Sequence, residues 1–437
     1  RGAFRSRAPA RGWRAALFAT TALIAVGLAA PNRAAADTTI PVGPATSAPP
    51  DIVEPGNMDV LGTLEILTSG DVQVAGTTTV SSGGKVEILE GGLFTGGVLD
   101  VQAGGHFVVD GGTASTGIAT FQANSNGTID NGGAYTANGA LTIRGKVNIQ
   151  NESSVVATST TTLNGSALVI ASDSSTFSSN GAVSITGHAR LTLQGSAVFD
   201  ALDTTTVSMS GGMNVQDGAI YNAHASFVLE DNGTVIVMDG EINVLGTTTL
   251  RGRSDLVLTN GSTFAATGAV VMADETQIVI DRGSIVEARS MTTISAARAS
   301  GPGGLIVDGG SIFDAIGGLV SRGNITLLDG LIDVRENATL DTGSHLDVTG
   351  NSIFVSSGPV VMSGNATASI RDGGSFDAML SLTLSNRASL DVGANGVAIV
   401  HDALVLEDEG KITVNAGSLT AFSTTTVKDD ASILVAG

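Results

Sequence analysis

From Gly70 onward the chain is filled with short runs in which apolar and polar residues alternate, each closed by Gly, Asn, Asp or Ser. Between Gly195 and Asp217 the runs are Val198-Phe199, Thr205-Thr206-Val207 and Met213-Asn214-Val215. Just before them, Leu191 and Leu193 point one way while Arg190, Thr192 and Gln194 point the other. A period of two puts one face of a strand against a core and the other in water. Runs this short do not stand alone, because isolated hairpins are marginal in water.

Repetition supplies the neighbours. "GSIFDAI" at Gly310–Ile316 returns as "GSAVFDAL" at Gly195–Leu202 and "GGSFDAM" at Gly373–Met379, with looser copies from Gly218, Gly261 and Gly283. Units opening at Gly70, Gly91, Gly111 and so on to Gly417 number seventeen; most are 20 to 23 residues long and one has 27. If each unit is one coil of a solenoid, like strands pair in parallel about 4.8 Å apart and inward residues form columns. Phe177, Phe199, Tyr221, Phe264 and Phe313 fit one column. Leu163, Val207, Leu250, Ile294, Leu340 and Val427 fit a second, and Val237, Leu258, Ile280, Val307 and Leu327 a third. Three faces and coils of this length predict an all-β fold, a right-handed parallel β-helix of about 17 coils; left-handed helices carry hexapeptide repeats, and none is found here. The turn before the repeated phrase reads Asp110-Gly-Gly, Asp308-Gly-Gly and Asp372-Gly-Gly, a corner in which Asp bonds its own backbone and Gly takes φ > 0.

The first 69 residues follow other patterns. Residues 1–36 combine a basic start (Arg1, Arg5, Arg7, Arg11, Arg14), an apolar stretch from Ala15 to Ala30 and small residues at Ala34 and Ala36. That is the layout of a signal peptide, so export through the inner membrane is expected. Residues 37–56 hold five of the nine prolines and read as an extended linker, with 57–69 as an N-terminal cap to the repeats at 70–437. Beyond residue 36 the sequence carries 15 basic and 41 acidic side chains. So acidic a chain is not expected to bind nucleic acid. With no Cys, disulfides and thiolate metal sites drop out.

The signal-like start, the absence of Cys and the many degenerate Gly-, Asn- and Thr-rich coils resemble the passenger region of bacterial autotransporters, the type V secretion family. That resemblance implies a secreted or surface-displayed β-helical stalk or adhesin at the outer membrane. It also implies an outer-membrane β-barrel of the same chain beyond residue 437, and a host-cell, matrix or bacterial surface ligand as partner. The alternative is a polysaccharide-active β-helix enzyme, a lyase or glycoside hydrolase.

Candidate chemistry is sparse. Glu287, Asp314 and Asp333 each follow an inward residue on consecutive units, which predicts one outward acidic column with members roughly 5 Å apart. Acids that close raise one another's pKa or recruit a cation. Arg289 and Arg335 lie two residues further on the same face and can neutralise them. The column is therefore the one binding candidate, and no catalytic residue, metal site or cofactor is expected. The five His are scattered over non-adjacent units, without the H-x-x-x-H spacing of a zinc enzyme. Thr triplets such as Thr204–Thr206 and Thr247–Thr249 raise the possibility of a flat array for ice, but they sit on non-adjacent units.

Overall fold

The computed structural model describes residues 37–42, 46–47, 51–295 and 304–436. The signal-peptide segment and residues 296–303 of the 27-residue unit fall outside these residues. The described chain is a parallel β-solenoid without a helix. Each coil presents three walls, as in Val198–Ala201, Thr205–Val207 and Gly212–Gln216. Every strand pairs in parallel with its counterpart one coil on: Phe199 lies opposite Tyr221, Val207 opposite Leu229 and Val215 opposite Val237.

All three predicted columns are present. Val286, Phe313, Ile332 and Phe354 succeed one another on the first wall. Ile280, Val307, Leu327 and Val348 do so on the third, all at 0% exposure. On the second wall Val427 keeps the register below Leu406, but lies in the last described coil and is 47% exposed. Aromatic rings stack along the first column, with centroids 4.5 Å apart for Phe177–Phe199 and 5.1 Å for Phe199–Tyr221.

The recurring phrase now has a physical meaning. In "SIFDAI", Ser311 is buried at the corner, Phe313 fills the core, Asp314 faces out, and Ala315 turns in where the first two walls converge. The corner position admits only small side chains because the coil below crosses under it. A Cβ on Gly374 would sit 2.3 Å from the Val348 carbonyl oxygen. Where serine occupies the position, its hydroxyl can close the turn: Ser284 Oγ donates to the Asp281 carbonyl at 2.7 Å and Ser352 Oγ to that of Thr349 at 2.5 Å. The preceding turn is left-handed, with φ of 58° at Gly309 and 73° at Gly310, and Asp308 Oδ1 accepts the Gly309 N–H at 2.7 Å. At the equivalent corner Asp372 itself adopts φ 55°, so the acid takes part in the left-handed turn as well as preceding it.

The N-terminal boundaries need correction. Segment 37–56, expected as a linker, holds strands Thr38–Ile40, Thr46–Ser47 and Asp51–Glu54, which pair in parallel with the next coil. Segment 57–69, expected as a cap, supplies the second and third walls of a coil whose first wall is Asp51–Glu54, with Met58, Val60, Leu64 and Ile66 at 0% exposure. The third wall therefore has nineteen strands among the described residues, seventeen of them from residue 70 onward as the repeat count predicts. Pro41 and Pro55 follow directly on strands, so they interrupt no ladder hydrogen bond.

Candidate functional site

The acidic column is where the repeat places it. Glu287 pairs in register with Asp314, and Asp314 with Asp333, on first-wall strands Ile285–Ala288, Ile312–Ala315 and Leu331–Val334. Because Val286, Phe313 and Ile332 point inward, pleating turns the following acid outward on each coil.

Arginines from the adjoining vertex pair with the acids of the column. Arg289 Nε donates to Glu287 Oε1 at 2.6 Å. Arg335 reaches back one coil, its Nε 3.1 Å from Asp314 Oδ1 and its Nη2 bonded to Asp314 Oδ2. The same Nε stands 3.8 Å from Asp333 Oδ2. Burial raises the Asp314 carboxyl above its ordinary value; Arg335 opposes that by hydrogen bond and charge, while Asp333 and Glu287 add to it. The Arg289 guanidinium is pushed up by its bond to Glu287.

The column extends further than the sequence suggested. Asp200, Asn222 and Asn243 precede Glu287 in the same outward register, separated from it by Ala265, with Asn222 Nδ2 donating to Asp200 Oδ1 at 2.8 Å and Asn243 Nδ2 to Asn222 Oδ1 at 3.1 Å. Two histidines that seemed unrelated belong to it. His224 Nε2 lies 3.8 Å from Asp200 Oδ1 and His401 Nε2 lies 3.0 Å from Asp377 Oδ1, each one coil back, as Arg335 is to Asp314. The signal was a basic residue 21 to 24 positions beyond an outward acid, a spacing meaningful only once coil length and wall are known.

This arrangement is a solvated ladder of acids, amides and cations. Among the described residues no group of three or more His, Cys, Asp or Glu could hold a metal ion. A second polar ladder runs along the corner between the third and first walls. There Asn131 Nδ2 donates to Asp110 at 2.6 Å, and Asp130 accepts from Gln150, Asn151 and its neighbour's backbone. Burial works to raise the Asp130 carboxyl, but those three bonds outweigh it and leave it below its ordinary value. The open groove lined by Asn131, Gly132, Asn151, Glu152, Asp173 and Ser174 lies on this corner, away from Glu287 and Asp314.

The Thr triplets do not form an outward array. The middle residues Thr78, Thr161, Thr205 and Thr248 are buried at 0% exposure, and only Thr425, in the last described coil, is exposed. Thr205 Oγ1 shares a 2.6 Å hydrogen bond with the Tyr221 hydroxyl inside the core, and Thr161 Oγ1 donates to Ser179 Oγ at 2.8 Å.

No family model matches the sequence, and no curated protein matches it. Among solved structures, the crystal structure of a TibC-catalyzed hyper-glycosylated TibA55-350 fragment is similar over 86% of this chain and 98% of that chain, at 15% identity and a TM-score of 0.34. A likeness at that level decides nothing about the activity of this chain.

Proposed function

We infer that the chain is an exported, autotransporter-like passenger whose solenoid acts as a stalk and adhesive surface on the outside of a bacterial cell or after release from it. The observation that supports this reading is the stacking of coils from Thr38 to Ala436, each wall pairing in register with the next. Nineteen such coils at about 4.8 Å make a core roughly 86 Å long. That geometry converts sequence length into reach and into broad outward faces. The layout of residues 1–36 supplies the route of export. The partner on this reading is a ligand on a host cell, in matrix or on another bacterium. Arg335 and Arg289 bridge the acids a polysaccharide-cleaving enzyme would need free, which favours binding over catalysis.

The test has two arms. Residues 1–36 fused to a phosphatase that is active only after export should give active enzyme. The full chain, labelled, should bind one of the three surface classes saturably. The Glu287→Gln, Asp314→Asn, Asp333→Asn triple variant should bind equally well, and incubation with pectin-like polymers should release no fragments. Cleavage of such a polymer by the parent chain, lost in the triple variant, would replace this reading with the enzymatic one.

A further inference from the structure

We propose that the second wall is a homotypic interface, on which a second copy of this chain lies side by side with the first. The second wall has three outward columns: the residue entering each strand, its middle residue and the residue leaving it. From Thr206 to Thr426 the middle column alternates Thr and Val without exception over eleven coils, as in Thr206–Val228–Thr249 and Val271–Thr293–Val320. The Thr triplets at 204–206, 247–249 and 424–426 each end on a Thr step of this two-coil period. Thr and Val have the same branched shape, so the column keeps one profile while alternating hydroxyl and methyl.

Charge singles out this wall. Across fifteen coils, from the one holding Thr120 to the one holding Thr426, neither the entering nor the middle column contains a charged residue. The leaving column holds four basic and three acidic residues. Among these Arg251 Nε bonds Glu230 at 2.5 Å and Arg322 Nε bonds Asp341 at 2.9 Å. That leaves eleven basic against 38 acidic residues for the rest of the sequence beyond residue 36. Acids outnumber bases in the outward columns of the other two walls and in the turns, whereas this strip carries no acidic excess, so it is where two copies close with the least acid against acid.

The strip is also large enough. Fourteen coil spacings of about 4.8 Å and a width of about 13 Å across the three columns give roughly 870 Å². A standard stable interface takes about 800 Å² from each partner. Exposed Leu202, Leu245, Met291 and Leu380 stand along its entering edge and add apolar surface. A strip that is uniform along its length meets itself across a two-fold axis, which satisfies the self-complementarity a symmetric pair needs. The pairing depends on no assumption about which ligand the solenoid displays.

Sedimentation velocity on the full chain is the test. At about 50 μM and physiological salt the expected mass is twice that of one chain, and added salt should tighten the pair because it screens the acidic walls. The Thr249→Glu, Thr293→Glu, Thr339→Glu variant should weaken association at least about a hundredfold. Thr263→Glu, Thr326→Glu and Ser369→Glu, outward on the other two walls, should weaken it far less. A second measurement does not depend on the charged variants folding. The chain lacks Cys, so a nitroxide on Thr293→Cys should lose mobility as concentration rises, while one on Thr263→Cys should not. A parent chain that stays monomeric at raised salt, equal loss in both Glu sets, or a mobile label at 293 at every concentration would overturn the proposal.

Discussion

Arg335 binds the acid of the coil before its own. Its Nε is 3.1 Å from Asp314 Oδ1 but 3.8 Å from Asp333 Oδ2, although Asp333 is only two residues away in sequence. Asp314 is the most enclosed of the three acids, with its side chain 14% exposed, and its ionisation is disfavoured by burial. A carboxyl whose folded pKa is raised contributes fully below its ordinary value, and stability declines as pH climbs through the raised one. Arg335→Gln should therefore deepen that decline and move it to higher pH. The loss at neutral pH is expected to stay below about 1 kcal/mol, since the arginine is half exposed. Adding Asp314→Asn should abolish it. Thermal midpoints of the three proteins between pH 3 and 7 check this, and identical profiles for parent and Arg335→Gln would count against the bridge.

Phe199 is held between the rings of Phe177 and Tyr221 at 0% exposure. Phe199→Ala removes the middle of that stack and should cost about 3–5 kcal/mol. Ala201→Leu, on the same strand, should cost about 1–3 kcal/mol by overfilling the vertex. Because a solenoid couples mainly nearest neighbours, the damage should be local. Hydrogen exchange should speed up first in strands Thr176–Ser179 and Ile220–Ala223 and leave Ser389–Val392 unchanged. A uniform rise along the chain would contradict the coil-by-coil picture.

The register of the core was legible because Phe, Val, Ile and Leu recur at one position per coil and a one-residue slip would expose every one of them. Glu287, Asp314 and Asp333 came with that register. The first two coils were not legible, because prolines at 41 and 55 read as an extended linker and masked the short alternation of Met58, Val60, Leu64 and Ile66 that follows. The Thr triplets were misleading for a related reason. When all three residues of a run are Thr, alternation carries no sign, and only the neighbouring coil's Phe227 or Val183 tells that Thr205 faces inward. His224 and His401 escaped because their partners lie 24 residues back and on the same wall, a relation invisible before the walls are assigned.

The small-residue corner should be unforgiving in proportion to the space each position leaves. Gly374→Val places a Cβ where the Val348 carbonyl oxygen already stands at 2.3 Å. It should destabilise the coil by more than about 1 kcal/mol, whichever rotamer it takes. Ser352→Ala, one coil earlier in the same column, adds no bulk and loses only the hydroxyl's bonds to Thr349 and Gly330. About 1 kcal/mol is expected there. Denaturant midpoints should rank the two in that order; the reverse order would mean that the corner yields more easily than the close approach implies.

Tyr221 and Thr205 share a 2.6 Å hydrogen bond at 0% exposure, which makes their coupling measurable. Tyr221→Phe leaves the Thr205 hydroxyl without that partner and should cost about 1–3 kcal/mol; Thr205→Val should cost a similar amount by stranding the phenol. The double variant removes both polar groups from a packed site of nearly unchanged shape, so its cost should fall well short of the sum of the two. The same burial raises the ionisation of Tyr221 and of Tyr135, the other tyrosine, above the ordinary phenol value. Both are acids with raised folded pKa, so their stabilising contribution is intact below pH 10 and is lost as pH rises further. In an alkaline titration followed by phenolate absorbance, the native chain should stay silent through the ordinary range and then release both protons together with the loss of its β-sheet circular dichroism. Phenolate appearing near pH 10 with the β-sheet signal intact would place a tyrosine outside the core.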